Sequence, residues 1–563
     1  MHIRFSTSFK KSALYLALGC SLTLPHLSAQ AAIVDNVVVA DPKALGMANA
    51  VTADPPGIFS IHFNPAGLAK VKHDSYTINA VVPQFNFRSE FYDHDPRYQQ
   101  FLADQGWSDP VENTTSQTSK ASIVLPGGSE VRNFPLPFLI VPTLGAAWHN
   151  ENSPMTYGTA VYSPYGAGYM RDSDDPGKYD GQSLAVIRLT YGSPTVALQL
   201  NDHWYVGAGI GLSWMGIGLD ATFRVPNIGL ALVQKVQEQS CPSPQNPHPN
   251  TVLSNQQYLD ICGSILGPYT EIARASLAVT DALSPSVNLG VLWEPTDWFA
   301  WGASYVSSAP IKATGKFTFD YGKEYQDFFK GFGSSAIGNF VRGPLTALGF
   351  PIPTGVAQQK GDAKINLTSP AQFSTGIKVV VLPDWQVNYD IKWMDWAKWK
   401  DLKLEFDQDM EFLEVVRLLQ PKYAPDIRTF IIPRGYKSVW TWAVGVEHRY
   451  NDQLTLRAGY EPRKSSVPAS KQDLLLPLPD TKLYTVGAEY KVRNELPFLP
   501  MTRNSTIAVA FGYMTGSQYV PAGSSSNANS MEGDNFVYNP YAGLNFKNIL
   551  KVYIAEASFK KDF

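Results

Sequence analysis

Residues 385–393 read WQVNYDIKW. Every second residue is large and apolar: Trp385, Val387, Tyr389, Ile391 and Trp393. Between them stand Gln386, Asn388, Asp390 and Lys392. A period of two with one apolar face is a β-strand pattern. It returns at 204–214 (WYVGAGIGLSW), 440–446 (WTWAVGV), 454–460 (LTLRAGY), 483–490 (LYTVGAEY) and 506–513 (TIAVAFGY). A soluble antiparallel sheet alternates in the same way, so the strands alone leave open whether the apolar face meets a core or lipid.

The connections between strands decide for lipid. Tight turns fall near Asn150–Pro154, Asn201–His203, Pro295–Asp297, Pro383–Asp384 and Tyr450–Gln453, with a longer one at 492–503. Long irregular segments at 91–136, 166–183, 222–284, 320–369, 408–437, 463–482 and 516–548 alternate with them. Six short turns and seven long loops predict fourteen strands with both ends on the short-turn side. That is the arrangement of a transmembrane antiparallel β-barrel. Trp and Tyr toward the strand ends suit aromatic girdles. The closing YIAEASFKKDF ends in an aromatic strand, the feature that outer-membrane assembly machinery reads.

Composition excludes other classes. Charged residues make up 17% of 563, below the roughly 25% of soluble proteins. A net charge of −3 gives no nucleic-acid footprint. Residues 1–31 combine a basic start, an apolar run and the small residues SAQAA, and are expected to be a cleaved signal peptide. Cys241 and Cys262 are then the only cysteines, and in an exported chain they are expected to pair, with two free thiols as the alternative. No Zn-type spacing occurs and no metal or cofactor is expected. G-x-S-x-G is absent, and the glycines of VGAGIG (206–211) lack dinucleotide-loop spacing, so an outer-membrane lipid-processing enzyme is a remote alternative.

Residues 32–73 precede the first strand and are too short for a domain. They contain SIHFNPAGLAKV at 60–71, where Asn64-Pro65 interrupts regular structure. Irregular backbone at membrane depth is tolerated inside a protein-walled lumen, so this segment is expected to be a plug, with 74–563 forming the barrel.

Several segments then resemble, in order, the long-chain fatty acid transporter family of Gram-negative outer membranes (FadL/TodX-type channels for hydrophobic compounds). They are LGMANAVTADPPGIFSIHFNPAGLAKV, SPTVALQLNDHWYVGAGIGLSW, SPSVNLGVLWEPTDWFAWGASYVSS, SPAQFSTGIKVVVLPDWQVNYDIKWMDWAKW and WAVGVEHRYNDQLTLRAGYEPRKSSVPA. The resemblance implies a fourteen-stranded barrel with an N-terminal hatch, passive uptake of hydrophobic molecules, and an initial ligand groove between the third and fourth long loops. The family's NPA motif falls on Asn64, Pro65 and Ala66, and its hatch glycine on Gly46.

The candidate residues follow. In the third loop, Ile228, Leu232 and Val236 repeat at helical spacing. In the fourth, Phe328, Phe329, Phe332, Phe340, Leu345 and Phe350 are too apolar for a solvated loop. Arg188, Lys392 and Arg457 fall on the polar faces of their strands, where they either guide a carboxylate or brace the lumen against Asp390 and Glu447. Long-chain fatty acid is the first expected cargo, with neutral hydrocarbons or modified lipids, taken up or exported, as the alternative. The chain is expected to act as a monomer in outer-membrane lipid and lipopolysaccharide.

Overall fold

A computed structural model of the chain describes residues 36, 39–128, 130–241, 262, 265–334, 340, 343–344, 346–347, 351–495, 503–531 and 538–563. The expected signal peptide, 1–31, lies outside them. Fourteen antiparallel strands follow one another around a closed wall. They are β1 (Ser75–His94), β2 (Val141–His149), β3 (Met155–Met170), β4 (Ser183–Gly192 and Thr195–Gln199) and β5 (Trp204–Phe223). Next come β6 (Ala273–Asp281 and Ser286–Thr296), β7 (Phe299–Val306 and Ala309–Tyr321), β8 (Gln358–Ser369 and Gln372–Leu382) and β9 (Trp385–Met394 and Asp401–Phe406). The circuit ends with β10 (Thr429–Pro433 and Val439–Arg449), β11 (Leu454–Arg463), β12 (Thr481–Val492), β13 (Ser505–Val520) and β14 (Leu544–Asp562). β14 pairs with β1 from Ser75↔Asp562 to Phe91↔Phe546 before a shift, so the wall has no seam there.

In the part of the wall nearer the short turns, large apolar side chains point out and polar ones point in. On β9, Gln386, Asn388, Asp390 and Lys392 are buried in the lumen, while Trp385 is exposed on the outer face. Trp204 stacks on Trp293 with ring centroids 5.7 Å apart, and Trp385 on His448 at 4.2 Å, as part of an aromatic girdle at the short-turn end.

Toward the long-loop end the sense inverts. On β7, Gly302 and Ser304 face the lumen, but beyond the break at 307–308 the lumen side carries Ile311, Ala313, Phe317 and Phe319. Lys312, Lys316 and Asp320 now point outward. β6 and β8 slip phase in the same way across their breaks, which contain Pro285 and Pro370, residues with no N–H to give a neighbouring strand. This part of the barrel has an apolar inside and a charged outside, the polarity of a wall standing in water rather than lipid.

The inversion corrects the expected loop boundaries. β5 runs to Phe223 and β6 begins at Ala273, so the third loop is 224–272 rather than 222–284. The fourth is 322–357 rather than 320–369, because β8 starts at Gln358. A strand whose apolar face turns inward and then breaks at proline reads as irregular when one outward apolar face is sought.

Residues 39–71 lie inside the wall as a compact insert of short helical turns, Pro42–Gly46, Gly57–Phe59, Ser60–Phe63 and Pro65–Lys70. Val39, Met47, Val51, Ile58, Ile61 and Leu68 are buried in one cluster that includes Ala147, Ala160, Leu292 and Ala300 of the wall. Where insert and wall touch, the wall residue is repeatedly glycine. A Cβ at Gly207 would collide with the backbone of Pro65, at Gly290 with Asn64 Oδ1, at Gly302 with the backbone of Thr52 and at Gly459 with Met47 and Ala48.

Candidate functional site

Asn64 is fully buried and holds three partners at once. Its Nδ2 donates to the carbonyl of Thr52 at 2.8 Å within the insert and to that of Val291 in β6 at 3.0 Å. Its Oδ1 accepts from Ala66 N at 3.2 Å, capping the turn Pro65–Lys70, in which Pro65 supplies a first residue that has no N–H to satisfy. Gly46 ends its own short helix against β12: a Cβ there would stand 3.3 Å from Gly487 Cα, and Thr485 Oγ1 donates to its carbonyl at 3.2 Å. The wall satisfies much of the insert's remaining backbone. Asn288 donates to Ile61 O at 2.6 Å and His62 O at 3.0 Å, Ser304 to Phe63 O at 2.7 Å, Asn388 to Ala50 O at 2.8 Å and Asn79 to Ala40 O at 2.6 Å. Asp390 accepts from both the backbone and the hydroxyl of Thr52, at 2.8 and 2.6 Å.

Below the insert, at the short-turn end, a cavity of about 920 Å³ is lined by charge. Lys43 pairs with Asp54 at 2.8 Å, and Arg457 with Glu447 at 2.8 Å and Glu489 at 2.9 Å. Lys392 lies 3.5 Å from Glu461. Two of the three lumen cations singled out in the sequence are therefore braced by carboxylates. Arg188 is not: it donates to the hydroxyl and carbonyl of Ser284, at 3.1 and 2.8 Å.

At the opposite end the third and fourth loops meet. The helix Ile228–Ser240 and the helix Lys323–Ser334 enclose a cavity of about 270 Å³ lined by Leu232, Val233, Val236, Gln237, Phe328 and Phe332. Four of the expected groove residues are thus brought together. Phe329 turns away, 4.6 Å from the Tyr325 ring, and packs on the apolar interior of the barrel. Phe340 is exposed and does not line this cavity. The side chain of Ile228, and Leu345 and Phe350, lie outside the described residues. Cys241, at the end of the third-loop helix, is joined to Cys262 by a disulfide with Cα atoms 5.5 Å apart.

Sequence reasoning missed a second apolar cavity, of about 100 Å³, inside the inverted part of the barrel. Phe223, Phe317, Phe319 and Phe406 of the wall line it with Phe412, which belongs to the loop helix Glu411–Leu419. Phe319 and Phe412 stack at 4.6 Å. The available signal was KFTFDY (316–321), where the aromatics alternate with charge rather than with small residues. The polar border of this cavity is Asp180, Arg434 and Asp473. Arg434 pairs with Asp473, and Asp180 accepts from Leu474 N and Leu475 N at 2.5 and 3.2 Å. Burial and the neighbouring Asp473 push the Asp180 carboxyl, in the loop between β3 and β4, up to about 7.

Comparison with known proteins places this geometry. The family described as outer membrane protein transport protein (OMPP1/FadL/TodX) matches residues 25–563. The long-chain fatty acid transport protein of Escherichia coli O6:H1 is 23% identical over 374 residues, 65% of this chain and 67% of the relative. That of Salmonella typhi is 24% identical over the same length and the same shares of the two chains. A Pseudomonas aeruginosa FadL homologue superposes with a TM-score of 0.61 at 16% identity, covering 95% of this chain and all of the other. The Pseudomonas putida toluene transporter TodX gives 0.56 at 16%, covering 94% and 99%.

Proposed function

The chain belongs to the outer membrane protein transport family (OMPP1/FadL/TodX), a family of transport channels rather than enzymes, and from that premise we propose that it takes up long-chain fatty acids passively. Cargo lands first in the groove between the third and fourth loops, moves into the phenylalanine-lined cavity, and passes the insert, which acts as a hatch. The observation that carries this reading is the pair of apolar cavities at the long-loop end, stacked above an insert held by hydrogen bonds rather than by continuous packing alone. Each methylene buried on the way contributes roughly 0.8 kcal/mol, which draws a long chain out of water without an energy source. Gly46, Asn64, Pro65 and Ala66 are the hatch residues in this reading, and Leu232, Val236, Phe328 and Phe332 the capture residues.

Neutral hydrocarbon is the second reading, favoured by the aromatic lining of the inner cavity and by the likeness in fold to TodX. Mass spectrometry of ligands extracted from the purified barrel, after exposure to a mixture of fatty acids and alkanes, separates the two. Enrichment of acids that disappears with Phe328→Ser and Phe332→Ser supports fatty acid uptake. Alkanes without acids moves the assignment to hydrocarbon, and a barrel that retains neither overturns both.

A further inference from the structure

We propose that Arg188 is a binding group for the carboxylate of an acidic amphiphile at the waist of the barrel, and therefore selects acids over neutral hydrocarbons. The inference rests on the channel reading above and names the class of cargo within it.

Arg188 sits on the lumen face of β4 and is 3% exposed. Burying a guanidinium is costly unless an anion accompanies it. The other buried arginines of the described residues obey that rule. Arg171 has Asp175, Arg224 has Asp109, Arg434 has Asp473, Arg457 has Glu447 and Glu489, and Arg463 has Glu461. Arg188 has no carboxylate within ion-pair distance among the described residues. Of its five N–H donors, one on Nη1 and one on Nη2 are engaged by Ser284.

The space beside it completes a site. A cavity of about 50 Å³ lies between the insert and the wall and is lined by Arg188 with the hydroxyl-bearing Thr190, Ser193 and Ser286. Tyr162 and Met394 supply its apolar side and His62 of the insert its floor. That volume suits a carboxyl group or a few waters, and is too small for a hydrocarbon chain. A carboxylate here gains charge-assisted hydrogen bonds that an alkane cannot make, while its tail remains among apolar side chains. The cavity touches the insert at Ile61 and His62, three and two residues before Asn64, so a bound headgroup lies against the segment that must move.

The test uses the full chain in cells lacking their own long-chain acid uptake, at matched surface levels, with hexadecanoate and hexadecane as paired probes. Arg188→Gln is expected to lower hexadecanoate uptake about tenfold or more, with hexadecane uptake unchanged, and Arg188→Lys to keep most of the acid uptake. Equal loss of both probes, or no loss of either, overturns the inference and leaves Arg188 as a brace for the broken β6 through Ser284. Wild-type uptake of hexadecane without hexadecanoate overturns it while the channel stands; uptake of neither defeats the channel reading and this inference with it. If Arg188→Gln does not reach the membrane, carboxyl-13C hexadecanoate in the purified wild-type barrel decides. A signal still ionised below about pH 4 supports the inference, and one that protonates as in water overturns it.

Discussion

The side-chain amide of Asn64 reaches across from the insert to the carbonyl of Val291 in β6, 3.0 Å away. It does so only because the preceding wall residue is Gly290, whose missing Cβ leaves room for Asn64 Oδ1. One side chain thus joins the cap of an internal turn to the wall, and its loss is felt on both sides of the contact.

Asn64→Ala removes the cap and both donor bonds. A lost cap costs about 1 kcal/mol and each buried hydrogen bond about as much again. Hydrogen exchange of residues 52–70 should rise by one to two orders of magnitude, about 1.4 kcal/mol per factor of ten. Uptake should fall while binding of an apolar dye to the loop groove stays normal. Full uptake at normal surface levels would reduce Asn64 to a structural turn.

Gly290→Ala places a methyl group where Asn64 Oδ1 stands. Overpacking of this kind costs about 1–3 kcal/mol, and the insert is the more movable partner. Planar-bilayer conductance and sensitivity to bulky hydrophilic antibiotics should both increase. Gly166→Ala, whose added Cβ would meet its nearest neighbour at an ordinary 3.5 Å, is the matched control and should leave both unchanged.

Leu232→Ser with Phe328→Ser strips apolar surface from both walls of the loop groove. A buried side chain of this size contributes about 1.5–3 kcal/mol, so an apolar fluorescent ligand should bind at least tenfold more weakly. The thermal midpoint of the barrel should hardly change, since neither residue supports the wall. A lowered midpoint with unchanged affinity would make the two helices mutual packing partners and nothing more.

Asp180 predicts a pH dependence whose sign is fixed. Its folded pKa of about 7 is raised by burial and Asp473, and held from rising further by Leu474 N, Arg434 and Arg171. The folded state therefore binds this proton more tightly than the unfolded chain, and the associated stability is lost as pH rises through about 7. The thermal midpoint should fall between about pH 4 and 7 and level off above that, while fatty acid retention in the inner cavity should fall around pH 7, where negative charge appears at the cavity border. Asp180→Asn should flatten both profiles; an unchanged slope would show that another group titrates.

How much of this was legible depended on which solvent each strand faces. WQVNYDIKW was readable because lipid lies outside it and a hydrogen-bonded lumen inside, so alternation is strong and of one sign. KFTFDY alternates as cleanly but in the opposite sense, with Phe317 and Phe319 inward, because that part of β7 stands beyond the bilayer. The inner cavity was invisible for the same reason. Of its lining, Phe223 and Phe430 fall within segments expected as loops, and Phe412 comes from a helix about ninety residues from Phe319 in sequence. The groove residues Leu232, Val236, Phe328 and Phe332 could be found from apolarity alone, whereas Phe329 could not be told from its neighbour: a single step of about 100° around the helix sends it to the interior. Of the three cations, the sequence marked all alike; only spatial neighbours separate Arg188 from Lys392 and Arg457.

The pairing of β1 with β14 sets this chain's order of assembly. Every other adjacent pair joins strands that are neighbours along the chain and can form as a hairpin. This one matches Ser75 with Asp562 and so requires both ends of the barrel sequence at once. Until Leu544 and the residues after it are in hand, the wall is an open ribbon with two unpaired edges and the insert has no enclosure. Such an intermediate exposes two strand edges that can pair with another molecule, and any chain that ends before β14 keeps both of them open.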